Sequence, residues 1–191
     1  MMNRPNKARV EAIISDLLTE LNFDYKNDPN MKDTPSRVAK MYCQEIISGC
    51  YDPPPELTVF PNTEKYDELI IVDTINFHSM CSHHMLTFYG KVDIGILPGP
   101  DTMLLGLSKY SRIVEWFAKR PQIQEGMTQE ITNYIEKLLK PRGLAVRVKA
   151  KHLCAIARGV QQTESNMTTI SLRGELRTNA SIKDEFLRSV S

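Results

Sequence analysis

Apolar residues recur at helical spacing in four stretches of the chain, and β-branched or alternating patterns mark four more as strands. In "KARVEAIISDLLTELNF" the residues Val10, Ile13, Ile14, Leu17, Leu18 and Leu21 fall on one stripe, which predicts an amphipathic helix. "DTPSRVAKMYCQEIISG" follows, with Thr34 as the expected N-cap, Pro35 at the first helical position and Gly49 as terminator. Its apolar face is Val38, Met41, Tyr42 and Ile46. "YDPPPELTVFP" cannot be helical and reads as an extended connector. Beyond it, "DELIIVDTINFHSM" and "TFYGKVDIGILP" predict strands, and "SKYSRIVEWFAKR" and "TQEITNYIEKLLK" predict helices. The second of these helices has Ile131, Ile135, Leu138 and Leu139 on one face and is ended by Pro141 and Gly143. "GLAVRVKAKHLCAIARGV" alternates as a strand, with Leu144, Val146, Val148 and Ala150 opposite Arg147, Lys149 and Lys151. "TTISLRGELR" predicts a last strand. The expected organisation is a helical region and connector over residues 1–60, then an α+β body over 61–191, folding as one unit.

Composition narrows the function classes. At 191 residues, 41% hydrophobic and 25% charged, the chain can bury a real core. A net charge of +1 argues against a general nucleic-acid binder, so an anionic ligand has to be met by a local cluster of cations. No run of 18 apolar residues exists to span a membrane, and the charged N-terminus does not resemble a secretory signal. Four cysteines are too sparse for a disulfide scaffold of this length, and a cytoplasmic chain with reduced thiols is expected.

Chemistry concentrates around "MCSHHML". Cys81 and His84 are spaced to close on one ion but need a further ligand. Read as one continuous strand, "KHLC" places His152 and Cys154 on the same face. Cys81, His84 and Cys154 then form a Cys₂His set, the three-ligand pattern of catalytic zinc, with a fourth position for water. Cysteine is also among the most buried residue types, so spacing alone leaves core packing open for Cys154 and favours it for Cys43 and Cys50. His83 and His152 are the spare imidazoles, suited to proton transfer near neutral pH or to supporting hydrogen bonds, and His78 is read as structural. In "GLSKYSRIV", Ser108 at an expected helix N-cap, Lys109 and Arg112 form a phosphate site or a solvated helix start. Arg158 strengthens the phosphate reading, four strand residues (about 13 Å) from Cys154. Gln124 and Glu125, placed before a helix, offer an amide and a carboxylate to a purine edge or to solvent.

These segments together resemble the GTP cyclohydrolase I family, from about Thr34 to the C-terminus, through "DTPSRVAKMYCQEIISG", "SMCSHHMLTFYGK", "GLSKYSRIVEWFAKRPQIQE", "KHLCAIARGV" and "DEFLRSV". The resemblance implies a T-fold, an antiparallel sheet with two helices on one face that assembles with other subunits into a β-barrel tunnel. It also implies a homodecamer with active sites at subunit interfaces, and hydrolysis of GTP to 7,8-dihydroneopterin triphosphate and formate. Cys81, His84 and Cys154 would hold Zn²⁺. His83 and His152 would handle protons, with Ser108 close to the ribose chemistry. Ser108, Lys109, Arg112 and Arg158 would grip the triphosphate, Arg37 would reach it across a subunit boundary, and Glu125 with Gln124 would read guanine. The chain departs from the family's C-E-H-H at Ser82, and has Gly126 where an arginine usually follows the Q-E pair. The rival readings are a diverged cyclohydrolase acting on another purine nucleotide or stopping at a ring-opened intermediate, and a non-catalytic nucleotide-binding subunit.

Overall fold

A computed structural model describes residues 2–191, in two compact units, Met1–Pro53 and Pro54–Ser191. The first unit holds α1 (Lys7–Glu20) and α2 (Thr34–Lys40), and α2 runs on into a π-helical turn over Met41–Ile46 and a 3₁₀ turn over Ser48–Cys50. The cap of α2 is Asp33, one residue before the expected Thr34, because Pro35 suits the first turn, where no backbone N–H is needed. Gly49 falls inside the 3₁₀ turn instead of ending a regular helix. Leu18, Ala39 and Cys43 are buried, in keeping with packing for Cys43, whereas Ile13, Leu17 and Leu21 of the α1 stripe are exposed.

The second unit contains β1 (Val59–Pro61), β2 (Ile70–Cys81), β3 (Thr87–Leu97), β4 (Met103–Leu105), α3 (Leu107–Ala118), β5 (Pro121–Gln122), α4 (Gln124–Leu139), β6 (Gly143–His152), α5 (Leu153–Ile156), β7 (Met167–Gly174), α6 (Glu175–Thr178) and α7 (Ala180–Ser189). The main sheet has the order β5-β2-β3-β6-β7 and is antiparallel except where the two-residue β5 lies parallel to β2. β1 and β4 form a separate antiparallel pair, so part of the expected connector is strand.

Alternation explains the layers. Phe88, Val92, Ile94 and Ile96 of β3 and Leu144, Val146 and Val148 of β6 are buried in one core with Ile113, Val114 and Phe117 of α3 and Met127, Ile131, Ile135 and Leu139 of α4. This α+β arrangement, two helices against one face of a largely antiparallel sheet, is that of the expected T-fold subunit. A smaller cluster of Leu97, Ala145, Leu176, Phe186 and Val190 brings in α6 and α7, neither of which was expected from the sequence. Phe186 fits there because Gly95 has no side chain: a Cβ at that position would lie 2.6 Å from the ring.

β2 changes register between Val72 and Ile75, and Thr74 turns left-handed there, with φ of 58°. Asp93 holds this bulge by accepting from the Thr74 backbone N–H at 2.8 Å, and it also pairs with Arg147 at 3.2 Å. The two side chains are only 6% and 13% exposed, so Asp93→Ala leaves a nearly buried guanidinium and a backbone donor without their carboxylate. That change is expected to cost about 3 kcal/mol, read as a lowered urea midpoint. Asp93→Asn, which keeps an acceptor for Thr74, should cost less.

Candidate metal centre and its surroundings

β2 ends at Cys81 in a tight hairpin turn that leads back into β3. The Cys81 N–H donates to the Leu86 carbonyl at 2.8 Å, and the Met85 N–H donates to the Cys81 carbonyl at 2.9 Å. Met85 is left-handed with φ of 55°, a conformation uncommon for a residue with a side chain. The Ser82 N–H donates to the Gln122 carbonyl at 3.0 Å and so ties the turn to β5. Cys81 itself is buried, while Ser82, His83 and His84 are exposed.

Cys154 reaches the same place from the far side of β3, though not as expected. β6 stops at His152, and Leu153–Ile156 form a single helical turn, so His152 and Cys154 do not share a strand face. The ladder ends there because Phe88, the partner of His152, is the second residue of β3, next to the hairpin turn. The helical turn also removes the extended four-residue path from Cys154 to Arg158. Even so, the ligand atoms of Cys81, His84 and Cys154 all lie within 4.8 Å of one another. Burial pushes the Cys154 thiol up from its usual value, the adjacent Cys81 adds to that by charge and hydrogen bonding, and Arg158 opposes it. Two thiols and an imidazole facing one point are a donor set that fits zinc, which takes sulfur and nitrogen ligands in tetrahedral sites.

Beside this cluster stands His152. Its Nε2 lies 2.8 Å from Gln124 Oε1, and its ring stacks on the buried Phe88 with centroids 4.7 Å apart and planes within 4°. Burial holds the imidazole below its ordinary pKa, against the pull of the Glu125 carboxylate. Gln124 and Glu125 do not precede α4 but form its first turn, after Ile123 as N-cap. Glu125 is exposed, whereas Gln124 is 1% exposed and its amide is engaged inside the fold. His83 is close to its neighbour His84, ring centroids 6.4 Å apart. His78 is exposed and stacks on Tyr89.

The cationic residues are less concentrated. Ser108, Lys109 and Arg112 lie on α3, which packs on β2, but the N-cap is Gly106, and Ser108 is inside the first turn. Gly106 takes the position because its backbone is still extended, with φ −66° and ψ 144°. Arg158 is exposed after α5 and near enough to act on Cys154. Arg37 belongs to the first unit, where it pairs with Asp33 at 3.2 Å. Gly126 lies within α4, and a Cβ there would meet only Ile123, at an ordinary 3.5 Å. The sequence reading missed Phe88, Thr128 and Thr169 around His152 and Gln124, since no spacing rule links residues so far apart in the chain.

An α+β sheet that closes a Cys₂His cluster beside a stacked histidine defines the protein as a candidate metal-dependent enzyme of the T-fold class. The family profile described as GTP cyclohydrolase I matches residues 10–191. Curated proteins named GTP cyclohydrolase 1 are similar along nearly the whole chain. The one from Wigglesworthia glossinidia brevipalpis is 43% identical, covering 97% of this chain and 85% of its own. Those from Edwardsiella ictaluri and Mycolicibacterium vanbaalenii are 41% and 38% identical, each covering 96% of this chain and 83% and 90% of their own. A solved apo structure of an archaeosine synthase described as QueF-Like aligns at a TM-score of 0.48 and 14% identity, over 58% of this chain and 97% of its own. The chain belongs to the GTP cyclohydrolase I family. Among the described residues, no helix is long and apolar enough to cross a membrane.

Proposed function

We propose that this protein is a zinc-dependent GTP cyclohydrolase I, converting GTP and water to 7,8-dihydroneopterin triphosphate and formate at the entry to pterin and folate synthesis. The observation that carries this reading is the convergence of Cys81, His84 and Cys154 from two separate turns in a member of this family. Zinc held by these three residues would supply a Lewis acid that lowers the pKa of water to about 7, as opening the guanine imidazole ring at C8 requires.

The remaining steps fall to the chain's own groups. His152, oriented by Phe88 and Gln124, takes and returns protons as the ring opens and the ribose rearranges. His83, exposed on the ligand turn, donates a proton to the purine nitrogen that leaves C8. Glu125 accepts from the ring N–H and amino group of guanine, a donor pair that adenine lacks. Gln124 contributes through His152, because its own amide is engaged inside the fold. Ser108, Lys109, Arg112 and Arg158 bind the triphosphate, Ser108 lying nearest the ribose.

Arg37 completes the phosphate grip from a neighbouring subunit, which makes the working form a homo-oligomer and, by family likeness, a decamer. The exposed Ile13 and Leu17 of α1, Leu21 at its C-terminal cap, and Met167 and Ile170 of the edge strand β7 offer apolar surface for such an assembly. The site needs both thiols reduced, which fits a cytoplasmic enzyme. Residues 1–60 would then act as an assembly arm and 61–191 as the catalytic body.

The test is a GTP assay with zinc-loaded protein, scoring formate and, after oxidation, fluorescent neopterin by chromatography. Both products are expected. Formate without pterin would identify an enzyme that stops after ring opening, and neither product from a folded, zinc-bound oligomer would reduce the protein to a nucleotide-binding role.

A further inference from the structure

The hydrogen bonds around Gln124 determine which nitrogen of His152 carries hydrogen. The Gln124 amide nitrogen lies 3.1 Å from the Val148 carbonyl and 3.0 Å from the Met167 carbonyl. Carbonyl oxygens only accept, so the NH₂ end of the side chain must face them, and a flipped amide would set oxygen against oxygen twice. The next links agree. Thr128 Oγ1 donates to the Gln124 backbone carbonyl at 2.8 Å, so in its 2.6 Å contact with Thr169 the Thr169 hydroxyl is the donor. Thr169 Oγ1 is thereby left to accept from the Gln124 amide at 3.2 Å. The two amide hydrogens are shared among these three acceptors, the Thr169 contact being the longest, and Gln124 Oε1 is left pointing at His152 Nε2 at 2.8 Å.

An amide oxygen cannot donate, so the nitrogen facing it must. We infer that Gln124 is a positioning residue that locks His152 in the tautomer with hydrogen on Nε2, leaving Nδ1 as the nitrogen that meets substrate. Phe88, stacked on the ring and fully buried, blocks one face and fixes the plane in which Nδ1 is offered. Among the described residues, Nδ1 has no hydrogen-bond partner. The hydrogen on Nε2 is held by Gln124 whether or not Nδ1 is protonated, so proton exchange with substrate runs through Nδ1 alone. The tautomer rests on geometry within this chain, whereas its use in turnover rests on the cyclohydrolase reading above.

A neutron crystal structure of perdeuterated, zinc-loaded wild-type protein at mildly alkaline pH tests the tautomer directly. Deuterium on His152 Nε2 with Nδ1 bare is expected, and deuterium on Nδ1 with Nε2 bare overturns the inference. The positioning role is tested with Gln124→Met, which keeps the length of the side chain and removes the acceptor. Its kcat for formate release should fall about 10²-fold, within the range general acid–base catalysis supplies, with zinc content and KM for GTP near wild type. A folded, zinc-loaded Gln124→Met with wild-type kcat overturns the positioning role. If that variant does not fold, the wild-type neutron structure still decides the tautomer. If the wild-type protein releases no formate, the cyclohydrolase reading fails while the deuterium position is still read independently.

Discussion

Replacing Cys154 with alanine is expected to strip the metal from the protein and to lower formate release from GTP on the order of 10³-fold or more. The size follows from the several kcal/mol that a Lewis acid contributes to such a transition state, each 1.4 kcal/mol being about tenfold in rate. The fold should survive. Cys154 is only half-buried, on a four-residue helical turn at the margin of the core, and its loss removes one small side chain. Cys43→Ala is the matched control: it deletes a more buried thiol, in the first unit, that belongs to no ligand cluster. Metal per subunit after dialysis, measured by mass spectrometry, should fall for Cys154→Ala and stay at wild type for Cys43→Ala. Equal retention in both would remove Cys154 from the ligand set, and with it the observation on which the functional reading stands.

The ligand set illustrates what the sequence could and could not tell. Alternation from Leu144 to Ala150 correctly marked the strand and its buried face, and the same rule carried past His152 gave the wrong local structure for Cys154. Two-residue spacing is compatible with a strand or with a helical turn. What ends β6 is the loss of its neighbour where β3 meets the hairpin turn, and that is a property of pairing, invisible in either segment alone. Helix starts erred in the same way. Ser108 and Thr34 are residues whose side chains can cap, yet α3 and α2 begin after Gly106 and Asp33, neither of which makes a side-chain capping hydrogen bond. The α1 stripe was real as a pattern, but Ile13, Leu17 and Leu21 are exposed in the single chain, since amphipathic periodicity reports a face that wants burial and not what buries it. Residue roles at the site came from family resemblance. The bond between Gln124 and His152, 28 positions apart and closed by strands β6 and β7, had no local signature.

His152→Ala separates chemistry from metal binding and is expected to reduce formate release by about 10²- to 10⁴-fold, the range contributed by a positioned general acid or base. Zinc content should stay at wild type, because the cluster that closes on the metal is Cys81, His84 and Cys154 and does not include His152. The truncation also leaves Gln124 Oε1 facing no donor in a nearly buried position, at a cost of about 1–3 kcal/mol unless water enters in place of the ring. A loss of activity caused by that destabilisation would appear as a lower unfolding midpoint and would be relieved by assaying at lower temperature. A loss caused by the missing imidazole would persist there, and small imidazoles added in solution should restore part of the rate by entering beside Phe88. Rescue with unchanged zinc content would assign the proton transfer to this ring. Full activity in His152→Ala would move that role to His83, the other imidazole next to the ligands, and would make the stacked ring a structural prop for the start of α5.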